Sequence, residues 1–282
     1  MNAITIVQLT DIHLRPEGEL VHGTVDTFAA LRRTLDRLVA AGRRVDALVL
    51  SGDLADNGAP EAYRRLRAAV TPAADALDAE IVYAMGNHDE RVAFAARLLD
   101  RTADPDTPLD HVVDVRGLRI IALDSTIPGR HHGRLTETQL DGLAAELRTP
   151  APRGTLLVVH HPPIPSPVAG PDLLRLHRPD LLAEALTGSD VRMIVCGHNH
   201  STAAGALAGI PVWIGPALSY RVDPFAPAGR HRGFAGSGFS RIDVTAAGAV
   251  ATAVETTPAP PVYDRDEQEI LDQLAALGAE RG

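Results

Sequence analysis

Five short segments of this chain carry side chains able to hold a metal ion: Asp11-Ile12-His13, Gly52-Asp53, Gly86-Asn87-His88-Asp89, His160-His161-Pro162 and Gly197-His198-Asn199-His200. Their donors are carboxylate and amide oxygens and imidazole nitrogens, a set that suits borderline divalent and trivalent metals. The single cysteine, Cys196, allows neither a disulfide nor a thiolate zinc site within the chain. Two metals held about 3.5–4 Å apart can clamp the attacking and leaving oxygens of an in-line displacement at phosphorus. Two carboxylates only partly neutralise two such ions, so local positive charge remains to attract a phosphodiester. Taken singly, Asp-x-His is ordinary turn chemistry and Gly-Asp after a strand is an ordinary helix cap. The conjunction carries the reading: all five occur, and each follows an apolar run.

Those runs define the elements that must position the donors. Ile4–Leu9 alternates like a strand, and Val25–Ala41 has helical spacing through Phe28, Leu31, Leu35 and Leu38. A strand over Ala47–Leu50, a helix over Glu61–Ala76, a strand over Ile81–Met85 and a helix over Val92–Leu99 continue the rhythm. This βαβαβ order predicts a parallel sheet with buried strands, whose C-terminal ends converge on one crevice. Val112–Val115 and Leu118–Leu123 flank Arg116-Gly117, a hairpin signal. Thr136–Leu147 reads as a helix with Thr136 as N-cap and Gln139 completing a capping box. Leu156–Val159 and Met193–Val195 are two further buried strands around the helical Asp180–Leu186, and Ala203–Leu207, Val212–Ile214, Ser240–Val244 and Val250–Val254 read as β. Pro162–Pro171 and Pro216–Gly238, rich in Pro and Gly without periodicity, read as ordered loops. The chain divides into a main domain over residues 1–257 and an appendage over 258–282. In the appendage a stiff Pro258–Pro261 linker leads to an amphipathic helix, Glu267–Leu277. That helix must dock on a neighbour or a partner chain, which makes a homo-oligomer an expected assembly.

Charged residues make up 22% of the chain, hydrophobic ones 45%, and the net charge is −9. No broad positive field exists to hold a polyanion, so no nucleic-acid partner is expected; the partner is a small phosphodiester. No stretch approaches the ~20 apolar residues of a membrane span, and Met1–Leu9 reads as a first strand rather than a signal peptide. The expected location is cytoplasmic.

The ordered motifs resemble those of the calcineurin-like metallophosphoesterases, over roughly Ile4–Val254. Gly52-Asp53-Leu54-Ala55-Asp56, Gly86-Asn87-His88-Asp89-Glu90 and His160-His161-Pro162-Pro163-Ile164-Pro165 narrow the resemblance to the bacterial class III cyclic-nucleotide phosphodiesterases. The resemblance implies an α/β fold, a four-layer αββα sandwich with mixed sheets. It implies one metal held by Asp11, His13, Asp53 and His200, and a second held by Asp53, Asn87, His160 and His198. The metals are two ions, iron with manganese or zinc. His88 is the implied catalytic residue, and Asn87 and His88 are the implied substrate contacts. The implied reaction is hydrolysis of 3′,5′-cyclic nucleotides (cAMP or cGMP) to 5′-nucleotides by a hydroxide bridging the metals. The alternatives are a broad phosphodiesterase acting on glycerophosphodiesters or 2′,3′-cyclic nucleotides, and a metal-binding scaffold without catalysis. Strand alternation turns only one of His160 and His161 toward the crevice, and the family pattern favours His160. His131 and His132 lie in a loop that can approach substrate, whereas His22, His111, His177 and His231 are expected at the surface. Asp56 is expected to cap the helix around Glu61, Asp89 to orient a ligand histidine, and Arg15 and Arg130 to be candidate phosphate contacts.

Overall fold

The computed structural model describes residues 3–276, and each apolar run of strand length becomes a strand. In chain order the first half comprises β1 (Ile4–Leu9), α1 (Thr27–Ala40), β2 (Ala47–Ser51), α2 (Pro60–Leu77), β3 (Glu80–Ala84), α3 (Arg91–Leu98), β4 (His111–Val115), β5 (Leu118–Leu123) and α4 (Glu137–Leu147). The second half comprises β6 (Thr155–Val159), α5 (Ala169–Leu174), α6 (Pro179–Ala185), β7 (Val191–Cys196), β8 (Ala203–Leu207), β9 (Ile210–Ile214), β10 (Tyr220–Val222), β11 (Gly233–Ala235), β12 (Gly238–Thr245), β13 (Gly248–Glu255) and α7 (Glu267–Ala276).

The period of two along the strands sorts their side chains into separate cores. Ile4 and Ile6 of β1, Ala47 and Val49 of β2, and Leu156 and Val158 of β6 meet in one apolar layer. Their alternates face outward: Leu9, Leu48 and Leu50 pack under α1, α2 and α3, while Leu157 and Val159 pack under α4 and α6. The result is helices, sheet, sheet, helices, the expected four layers. One sheet has the order β13-β12-β1-β2-β3, the other β4-β5-β6-β7-β9-β8. Both are mixed. The β1–β2–β3 and β5–β6–β7–β9 neighbours are parallel, and the outer strands pair antiparallel.

Thr136 caps α4 through the predicted capping box with Gln139. Two segments read as loops contain regular structure: α5 begins inside Pro162–Pro171, and Pro216–Gly238 contains the β10–β11 hairpin. Strands of three residues are too short to display a period of two. At the C-terminal end, α7 leaves Leu274 46% exposed, and Leu277 of the predicted helix lies outside the described residues. Among the described residues, no helix is long and apolar enough to cross a membrane.

Candidate active site

Backbone hydrogen bonds stitch the loop after β1 to the loop after β2, and the loop after β6 to the loop after β7. Asp11 N–H donates to the Gly52 carbonyl (3.1 Å), His13 N–H to the Asp53 carbonyl (2.8 Å), and Gly197 N–H to the His160 carbonyl (3.1 Å). The backbone is strained where the donors stand: Asp11, His13, Asp53, His198 and His200 have φ of 51°, 49°, 51°, 71° and 51°. Left-handed non-glycine residues cost about 1–3 kcal/mol each and cluster where the surrounding structure over-determines them. Gly86 is required for another reason. A Cβ there would strike the Asp53 amide nitrogen and carboxylate.

This framework gathers the donors into two groups that share Asp53. Asp11, His13, Asp53 and His200 place one ligand atom each within 4.8 Å of one another, and Asp53, His160 and His198 do the same. Asn87 joins the second group, its Oδ1 lying 2.9 Å from His198 Nδ1. Three of the four rings have one nitrogen anchored outside the cluster. His13 Nδ1 donates to Asp56 Oδ1 (3.0 Å), His160 Nδ1 to the Ser51 carbonyl (2.9 Å), and His200 Nδ1 to the Tyr220 carbonyl (3.0 Å). Such partners fix the tautomer and leave Nε2 to face inward.

The inward atoms fit a pair of cations. His13 Nε2 and His200 Nε2 lie 3.1 Å apart with both Nδ1 positions already donating. Two lone pairs at that distance repel unless a proton or metal ion lies between them. His160 Nε2 is buried without a hydrogen-bond partner among the described residues, 3.3 Å from Asp53 Oδ2. Burial works against charge on His160, but Asp53 and Asp11 outweigh it and push its pKa up to about 9. A metal ion bound here would take the place of that proton. Burial, helped by the neighbouring His160 and His13 rings respectively, pushes His198 and His200 down to about 3, so both are neutral, as ligands must be.

The neighbours of the cluster correct several expectations. Asp56 does not cap α2, whose N-cap is Ala59 with no side-chain bond. It holds His13 instead, and also pairs with Arg15 at 3.3 Å. Arg15 is thus occupied by carboxylates, including Glu19 at 3.4 Å, rather than free for phosphate. Asp89 orients no histidine. Its carboxylate accepts from the backbone N–H groups of Leu54, Ala55 and Gly86 and from the Tyr63 hydroxyl, tying the β2 and β3 loops together. Because one carboxylate satisfies four donors, Asp89→Ala should destabilise the fold by about 3 kcal/mol. The expected fall in melting temperature is roughly 5–10 °C, readable by calorimetry on the metal-free protein.

His88 lines the cleft over the two groups, and its Nδ1 donates to the Asp56 carbonyl at 2.8 Å. His161 is buried and uses both nitrogens, with Ser125 Oγ at 2.8 Å and the His131 carbonyl at 3.1 Å. His131 lines the cleft, accepting from Asn87 Nδ2 (3.2 Å), whereas His132 stacks on His177 at 4.1 Å. His231 is exposed, as expected, but also lines the cleft. Sequence reading missed Tyr220, which sits in a Pro- and Gly-rich stretch and acts on His200 through a backbone carbonyl that no side-chain pattern announces.

Two stacked mixed sheets whose strand ends carry a paired carboxylate–imidazole cluster define a dinuclear metallohydrolase. The chain belongs to the calcineurin-like phosphoesterase family, whose model matches residues 4–202. It is 45% identical over 228 residues, 81% of this chain and 75% of the relative, to a protein of Rhodococcus erythropolis named "Probable cyclic nucleotide phosphodiesterase". It is 44% identical, over 81% of this chain and 71% of the relative, to a cAMP/cGMP dual specificity phosphodiesterase of Mycobacterium tuberculosis. Among solved structures, a dimetal phosphatase from Danio rerio superposes with a TM-score of 0.61 at 16% identity, covering 91% of this chain and 100% of that one.

Proposed function

We propose that this protein hydrolyses 3′,5′-cyclic nucleotides, cAMP and cGMP, to the 5′-nucleotides. The observation that carries the reading is the sharing of Asp53 by two ligand groups beneath a cleft that His88 also lines. The names of the two bacterial relatives support the substrate class. Asp11, His13, Asp53 and His200 would hold one metal, and Asp53, Asn87, His160 and His198 the other. Oxygen and imidazole donors without thiolate suit iron with manganese or zinc. When bound, the ions supply Lewis acidity to the phosphoryl group and lower the pKa of water.

The chain's own residues orient the substrate and handle the proton. Hydrolysis joins a water oxygen to phosphorus, breaks the P–O3′ bond and leaves O3′ needing a proton. His88, its Nδ1–H held by the Asp56 carbonyl, would supply it from Nε2–H when it enters the step as the imidazolium, and is left neutral afterwards. Asn87 and His88, both in the cleft wall, contact the phosphate. Asp56 serves both sides of the step, holding His13 through its carboxylate and His88 through its carbonyl.

A side-by-side turnover assay with cAMP, cGMP, 2′,3′-cAMP, a glycerophosphodiester and a phosphomonoester tests this. The expected order places the 3′,5′-cyclic nucleotides first. A higher kcat/KM for the glycerophosphodiester or 2′,3′-cAMP would reject the assignment in favour of that substrate.

A further inference from the structure

The cleft above the ligand groups encloses about 220 Å³. Pockets that bury a drug-sized molecule run to roughly 300–1,000 Å³, so this cleft accommodates a phosphate ring but not a whole nucleotide. Beside it lies a larger cavity of about 850 Å³, and the two share Tyr220, Val222 and His231 in their walls. We infer that this second cavity is a nucleobase subsite, taking the purine of a cyclic nucleotide whose phosphate lies over Asp53 and His88. The inference rests on the cyclic-nucleotide reading above.

Tyr220 connects the two spaces. Its ring packs 4.2 Å from that of His200 on the ligand side, and His22 stands edge-on to it at 4.9 Å. Tyr220, His22 and the half-exposed Phe234 put three aromatic rings in the cavity wall. Stacking on such surfaces suits a nucleobase and tolerates different bases. Room for the base comes from small residues on the hairpin. Gly233 lets the Tyr220 ring lie against the hairpin backbone, since an added Cβ would come within 3.2 Å of ring Cδ2, and the small Ala235 is the cross-strand partner of Tyr220.

Ser219 supplies the polar contact. It is 2% exposed and lines the cavity, yet its Oγ has no hydrogen-bond partner among the described residues. Buried hydroxyls are nearly always bonded, so this one has a hydrogen bond still to make. A hydroxyl rotates to donate or accept, and therefore serves the amino edge of adenine and the carbonyl edge of guanine alike. The subsite accordingly accepts both purines with little preference.

The test fills the cavity from its exposed wall. Ala235 lies on the exposed β11, so Ala235→Trp places an indole in the cavity without entering a core. The metal-loaded variant should lose about tenfold or more in kcat/KM for cAMP and for cGMP, the scale of a lost base-stacking contact. For methyl p-nitrophenyl phosphate, a diester with no base, kcat/KM should stay within about threefold, since uniform binding through the base is what is removed. Adenosine, which carries no phosphate, should inhibit wild-type cAMP hydrolysis competitively and Ala235→Trp much less. Ser219→Ala should raise KM for both cyclic nucleotides with kcat retained. Equal effects on the base-free diester and the nucleotides, or wild-type KM in both variants, would overturn the subsite. Wild-type turnover of the base-free diester with none of cAMP or cGMP would instead reject the cyclic-nucleotide reading, and the subsite with it.

Discussion

Asp53→Ala protein should purify with both metal positions largely empty and with kcat/KM reduced by about 10³-fold or more, the scale of losing a preorganised electrostatic contact. Asp53 is the member common to both ligand groups. Its Oδ2 lies 3.3 Å from His160 Nε2 and 3.5 Å from His13 Nε2, one ring from each group. Its Oδ1 accepts from the His88 backbone N–H at 2.9 Å, which fixes the rotamer that places Oδ2 between them. Burial works to raise the Asp53 pKa, but the adjacent His160 more than reverses it, so the group is an anion well below neutral pH. Removing it would take a member from both ligand groups and one of the two central negative charges. Asn87→Ala is the informative contrast. Of the two ligand groups Asn87 meets the one that holds His198, so Asn87→Ala should empty one position and leave the other filled. Elemental analysis of metal per protein separates the cases, and full occupancy in Asp53→Ala would overturn the bridging role. Circular dichroism must show both variants folded, because Asp53 stands in a left-handed backbone conformation that the surrounding contacts have to hold.

The donors were legible because each belongs to a side chain placed directly after an apolar run: His160 follows Leu156–Val159, and His198 follows Met193–Val195. The layer order came with the family resemblance instead, since a continuous apolar run such as Leu156–Val159 implies a strand buried on both faces but does not say what covers each face. What supports the donors was not legible. Ser51 and Tyr220 act on His160 and His200 through backbone carbonyls, which every residue possesses. Asp56 and Asp89 exchange the kinds of role their positions suggest. Asp56 turns inward to His13 while α2 starts at Ala59 without a side-chain cap, and Asp89 accepts from three loop amides. Those outcomes depend on how two loops approach each other in space, which sequence spacing does not encode. The β10–β11 hairpin, source of Tyr220 and of the larger cavity, has strands of three residues amid Pro and Gly and so offers no periodicity to read.

The two roles open to His88, proton donor and phosphate contact, should separate on leaving-group basicity. A ribose alkoxide is strongly basic and needs a proton as the P–O3′ bond breaks, whereas p-nitrophenolate departs without one. His88→Ala should therefore lower kcat for cAMP by about 10²–10⁴-fold, the usual worth of general acid catalysis. For bis(p-nitrophenyl) phosphate the loss should stay below about tenfold, since only the electrostatic contact is removed. The structure favours a clean experiment. It is the His88 backbone amide, not its side chain, that holds Asp53, so the substitution leaves that carboxylate anchored. The imidazole is fixed through Nδ1 to the Asp56 carbonyl at 2.8 Å, so its removal costs one bond outside the donor cluster. Metal content has to be measured on the same preparation, because lost metal would depress both substrates and imitate a binding role. Equal losses on the two diesters with metal intact would rule out proton donation and leave His88 as a phosphate contact alone.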